Sequence, residues 1–146
     1  MDVPSAGTPV VCDMTTAPDT ARQRLEEYRL LFDRALVGRE RIGEAVRFRF
    51  RAEPGLREQI EDLAAREKAC CAFFAFEVTT DGEQIVWDCA VSDDPAARAI
   101  LDEFYDLPEH GFQDPDGLRA RLEGEGLTFV GGPDSLLQRA EVIRST

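Results

Sequence analysis

The chain has 146 residues, 43% of them hydrophobic, which is enough for one core and one domain. With 29 acidic and 17 basic residues its net charge is -12, and such a surface repels nucleic-acid phosphates and anionic lipid. No apolar run is long enough to span a membrane, and residues 1–10 lack the basic and apolar regions of a secretory signal, so a cytoplasmic protein is expected.

Lys68 is the only lysine, and an acidic, lysine-poor surface suggests a salt-rich cytoplasm, although GC-rich codon usage gives the same bias. The four cysteines, Cys12, Cys70, Cys71 and Cys89, read as thiols or metal ligands rather than a disulfide scaffold. No CxxC pair occurs, which weakens a thioredoxin or zinc-ribbon reading.

Residues 1–11 read as a flexible arm rich in Pro, Gly and small side chains. Cys12 follows, outside any expected helix or strand. Thr16, Pro18 and Asp19 supply a helix start, and Leu25, Tyr28, Phe32, Ala35 and Leu36 share a face, so a helix is expected over 18–37 with Gly38 as its stop. Over 45–52 the period changes: Val46, Phe48 and Phe50 alternate with Arg47, Arg49 and Arg51, the pattern of a half-buried strand. Its arginine face is expected to be solvated and paired with carboxylates.

Pro54 opens a second expected helix, with Leu56, Ile60, Leu63, Ala64, Cys70 and Cys71 on or near one face. Glu67 falls on that face, one turn before the cysteines. A carboxylate there needs a partner, either a buried ion pair, for instance with an arginine, or a role beside the thiols. Strands are expected over 74–80 and 84–91, joined by Asp81-Gly82, with Cys89 as a core thiol. Asp94-Pro95 starts a third helix that ends near Pro108, where His110 follows at an ordinary helix end. Beyond it a short helix near 118–122, a strand over 127–130 and a last helix over 135–143 are expected.

The order α-β-α-β-β-α predicts an α+β fold, a small antiparallel sheet with helices on one face. Residues 12–108 form the expected core domain and 109–146 a C-terminal extension of uncertain structure. The free sheet edge offers a place for a homodimer or another protein partner.

Adjacent helical cysteines project about 100 degrees apart, so both face one site only near a helix end. Cys70 and Cys71 sit at such an end, and paired thiolates select soft ions: Zn, Cu(I), Hg(II) or As(III). Cys12 is the expected third ligand, with Glu67 or His110 serving harder ions. Two packed structural thiols give the same sequence. No GxSxG, P-loop, HExxH or GxGxxG motif occurs, and one histidine leaves few bases for catalysis.

Cys12-Asp13-Met14-Thr15, the segment from Arg24 to Leu31, Val46-Arg47-Phe48-Arg49-Phe50 and, above all, the segment from Leu63 to Phe76 carry a resemblance. Over about two-thirds of its length the chain resembles a small domain attached to the C-terminus of some MerR-type regulators and also found free-standing. By association the resemblance implies metal or metalloid sensing, with Cys12, Cys70 and Cys71 as the matching thiols. Ala72 stands where that pattern often has proline, and no DNA-binding helix-turn-helix is present. Three functions are therefore expected in order: binding of a thiophilic metal or metalloid for buffering, sensing or transfer; a non-catalytic interaction domain with structural cysteines; and a thiol-dependent reductase or carbon–metal lyase.

Overall fold

The computed structural model describes residues 1–111 and 114–130. Its centre is a four-stranded antiparallel sheet made of β2 (Leu36–Ile42), β3 (Ala45–Arg51), β4 (Phe74–Asp81) and β5 (Gln84–Val91), in the order β2-β3-β5-β4. Helices α1 (Ala21–Ala35), α2 (Leu56–Cys70) and α3 (Pro95–Tyr105) bury their apolar stripes against it. The α+β expectation holds, with one strand more in the main sheet than the sequence suggested.

That extra strand is β2. The helix expected over 18–37 forms but is shorter: α1 stops at Ala35, and the chain passes at Leu36 directly into the edge strand, so Gly38 lies inside β2 rather than ending a helix. The helix start is also corrected. Thr20, not Thr16, caps α1: its hydroxyl accepts from the Gln23 N–H at 3.1 Å, and the Gln23 side chain accepts from the Thr20 N–H at 2.9 Å. Helix α2 begins at Leu56 rather than Pro54, after Gly55 at φ 80. Two hairpins of the same make, Ile42-Gly43-Glu44-Ala45 and Asp81-Gly82-Glu83-Gln84, turn on glycines at φ 61 and φ 60.

Strand alternation divides the sheet into two faces. Val46, Phe48, Phe50, Ile85, Trp87 and Cys89 are buried on the helix side. Tyr28 of α1 stacks on Trp87 with ring centres 5.9 Å apart, and Phe104 of α3 meets the same indole edge-on at 5.9 Å. On the opposite face Arg47 grips Asp88 through two hydrogen bonds of 2.7 and 3.0 Å, and Arg49 reaches Glu40 at 2.8 Å. The arginine stripe is thus paired across strands, as the alternation suggested.

Asp94 caps α3 through the Ala96 and Ala97 N–H groups. The chain then makes a π-helical turn (Leu107–Gly111), so His110 lies inside this turn rather than just past a regular helix; its side chain falls outside the described part. Helix α4 (Pro115–Gly124), capped by Asp114, leads to β6 (Thr128–Val130). Strand β6 pairs in parallel with β1 (Val11–Asp13), placing Cys12 opposite Phe129. Cys12 therefore belongs to a strand, contrary to its expected place outside regular structure. Leu118 and Leu127 join the same buried cluster as the sheet. The helix expected over 135–143 lies outside the described residues.

Candidate functional site

The end of α2 is fixed by backbone and by Lys68. Cys71 caps the helix, its N–H bonded to the Glu67 carbonyl at 2.7 Å, and it leaves helical geometry at φ -124. The Lys68 ammonium donates to the carbonyls of Ala72 at 2.8 Å and Phe74 at 2.6 Å, which satisfies acceptors just past the helix end and suits a cation there. Because the backbone turns between them, the adjacent thiols take different partners.

The Cys71 thiol donates to the Cys12 sulfur at 3.0 Å, and its Sγ lies 3.9 Å from Glu67 Oε2. The Cys70 Sγ accepts from Arg24 Nη1 at 3.5 Å. Cys12 and Cys71 both border a partly open cavity, and Cys70 does not. The expected pairing of Cys70 with Cys71 gives way to Cys71 with Cys12, drawn together across 59 residues. Cys89 lies apart, fully buried in β5 opposite Val46 and Phe76.

The carboxylate of Glu67 has the ion-pair partner that burial demands. Arg24, only 3% exposed, forks onto Asp19 at 2.6 and 3.0 Å and reaches Glu67 Oε1 at 3.3 Å. Arg66 donates at 2.9 Å to the same Asp19 Oδ2 that Arg24 Nε holds and joins Glu27 at 2.8 Å, so the network ties α1 to α2. Burial pushes the Glu67 carboxyl above its ordinary range, with Arg24 opposing. Asp19 behaves in reverse: burial would raise it, but Arg24 and Arg66 outweigh burial and hold it low.

Sequence reasoning missed Arg24, Asp19 and Tyr28 as members of this site. Arg24 was readable, because it sits in phase with Tyr28, Leu31, Phe32 and Ala35 on the buried face of α1. A charge on that stripe calls for a buried carboxylate, and Glu67 on the stripe of α2 calls for a cation.

Cys70, Cys71 and Cys89 are held above the ordinary thiol range. The hydrogen bond to Cys12 pushes Cys71 well above the ordinary thiol range, and burial and Glu67 add to it. Burial raises Cys70 too, with Arg24 opposing, and burial raises Cys89 well above its usual value. Such thiols lack the low-pKa thiolate of a catalytic or redox-sensing cysteine.

Comparison with protein-family models, curated proteins and solved structures finds no match for this chain. The chemistry therefore rests on the geometry.

The cavity beside the pair has a volume of about 160 Å³. One end carries Cys12, Cys71, Glu67, Arg24 and Tyr28; the rest is lined mainly by apolar side chains of α1, α3, α4 and β6. The Tyr28 hydroxyl is buried against Glu67, close enough to help hold that carboxyl down. Burial first, then the Glu67 charge, raise its pKa and keep it a proton donor. Among the described residues, no three His, Cys, Asp or Glu side chains are already gathered as an ion site. No helix of the described residues is long and apolar enough to cross a membrane.

Proposed function

We propose that this protein binds a thiophilic metal or metalloid as cargo through Cys12 and Cys71, to buffer, sense or pass it on. The observation that carries this reading is the 3.0 Å approach of the two buried sulfurs on the wall of a cavity. Two sulfurs offered side by side select soft ions over hard ones. Glu67 accepts the proton that Cys71 must lose, since it is the carboxylate 3.9 Å from that sulfur. Arg24 holds Glu67 and Cys70 in place, which makes Cys70 a positioning thiol rather than the first ligand. A cytoplasmic setting, where thiols stay reduced, belongs to this reading.

The same spacing favours a second reading, a dithiol that closes to a disulfide. The two are separated by reaction: reduced protein is titrated anaerobically with arsenite or Zn(II), counting free thiols and bound ion. Uptake of one ion with loss of two thiols is expected, abolished by Cys12→Ala or Cys71→Ala and kept by Cys89→Ala. No uptake, with rapid closure to a disulfide under mild oxidant, would leave the redox reading in its place.

A further inference from the structure

The cavity reaches well beyond what a bare ion needs, and its shape says what else comes with the ion. Its apolar lining includes Phe73, Ile100, Phe104, Leu118, Leu127 and Phe129. An apolar cavity of about 150 Å³ is large enough to take up benzene, so a space of this size has room for one aromatic ring. The observed volume is about 160 Å³.

The sulfur spacing narrows the centre that holds such a ring. Two Zn–S bonds of about 2.3 Å at a tetrahedral angle keep their sulfurs about 3.8 Å apart, and a linear two-coordinate ion spreads them further. A trivalent arsenic bound to two sulfurs is pyramidal, with a sulfur–arsenic–sulfur angle near a right angle, and requires the least opening from the observed 3.0 Å. Its third valence is free for carbon and can project into the cavity. Glu67 and Tyr28 border the same cavity as the two sulfurs.

We propose that the natural class of cargo is a monosubstituted trivalent organoarsenical, bound by Cys12 and Cys71 with its flat apolar group in the cavity. This rests on the thiol reading given above and names the ligand for it. Arriving as the hydrated form, R–As(OH)₂, it exchanges both hydroxyls for sulfur. Two As–O bonds break and two As–S bonds form. Each thiol proton ends on a departing hydroxyl as water, that of Cys71 by way of Glu67, and arsenic stays trivalent, so no oxidant or reductant takes part. Access lies between α1 and α4, where Arg22 and Asp116, both on the cavity rim, form an exposed pair at 3.8 Å.

The test titrates the reduced full chain, under argon, with phenylarsine oxide and with arsenite in parallel, reading bound arsenic by native mass spectrometry and free thiols by absorbance. Two thiols lost per arsenic are expected for both, with the phenyl compound bound at least tenfold more tightly. Leu122→Trp at the rim and Leu118→Phe in the wall fill the cavity; each should bring the preference close to parity with arsenite uptake unchanged. Equal binding of both arsenicals by the unmodified chain, or a preference that survives both fillings, overturns the cavity assignment and leaves the thiol reading standing. Uptake of neither sinks both. Should both variants fail to fold, the fluorine resonance of a 4-fluorophenyl adduct decides: a shifted line insensitive to exchange of H₂O for D₂O is expected, and a solvent-like line rejects the cavity.

Discussion

Cys89 and Cys71 are the same side chain, both shut away from solvent, in two regions that use it differently. Around Cys89 the sheet supplies apolar neighbours, and the thiol is one more piece of packing beside Trp87. Around Cys71 the helix end supplies a second sulfur at 3.0 Å, a carboxylate at 3.9 Å and an open cavity. Burial alone does not distinguish the two positions. Neighbouring polar groups and adjoining open space do.

The hardest way to break the thiol region is to remove its cation. Arg24→Met strands Glu67 and leaves Asp19 to Arg66 alone, and loss of one member of a buried ion pair is worth about 3–5 kcal/mol. Urea unfolding should show a drop of that order; a change below about 1 kcal/mol, the level of a surface pair, would mean the network is not structural.

Next comes a direct contrast of the two cysteines. Cys89→Ser buries a hydroxyl among apolar groups and should lower stability by about 1–3 kcal/mol while leaving arsenite uptake intact. Cys71→Ser should do the opposite, with uptake lost and a smaller effect on unfolding, because Cys12 and Glu67 remain to meet the hydroxyl. Matching results at both positions would erase the distinction.

The two carboxylates on Arg24 should respond to acid with opposite signs. Asp19 is held low in the folded chain, so its contribution is present above the ordinary carboxylate range and is lost as pH falls through its depressed value. Glu67 is raised by burial, so the folded chain keeps a proton that the unfolded chain has released, and stability declines as pH climbs through that interval. Stability–pH curves of Asp19→Asn and Glu67→Gln, subtracted from the parent, should therefore slope in opposite directions. Two slopes of one sign would refute the electrostatic layout.

The smallest effect is expected on the far face of the sheet. Arg49 bridges to Glu40 at 2.8 Å where water has access, so Arg49→Gln should shift stability by no more than about 1 kcal/mol, and less at high salt.

Much of this arrangement was legible in the chain itself. Alternation at Val46–Phe50, the Asp81-Gly82 turn and the Asp94-Pro95 cap read directly, because each depends on local backbone preference. Cys70, Cys71, Cys12 and Glu67 were named together from residue type and helix position; Cys71 meets Cys12 and Glu67, whereas Cys70 turns to Arg24. Strand β2 was not legible, since Leu36 and Val37 continue the apolar period of the helix before them, and pairing with β3 wins over that propensity. The choice of Cys71 over Cys70 depends on one backbone turn at φ -124, which no periodicity records. Nor did any local signal announce that the stretch after α3 would wall a cavity. That follows from β6 pairing with β1, a contact between residues far apart in sequence.

The same pairing sets an order of events. Helix α1, the two hairpins and α2 rely largely on near neighbours, whereas Cys12 is seated by a strand reached only near residue 130. Loop closure over such a span is entropically late, so the site should be the last part of the molecule to mature. During synthesis, Cys70 and Cys71 emerge well before the strand that closes the chamber. A nascent chain therefore presents separate thiols to its surroundings, and a two-sulfur grip exists only once the first strand and the last described one have met.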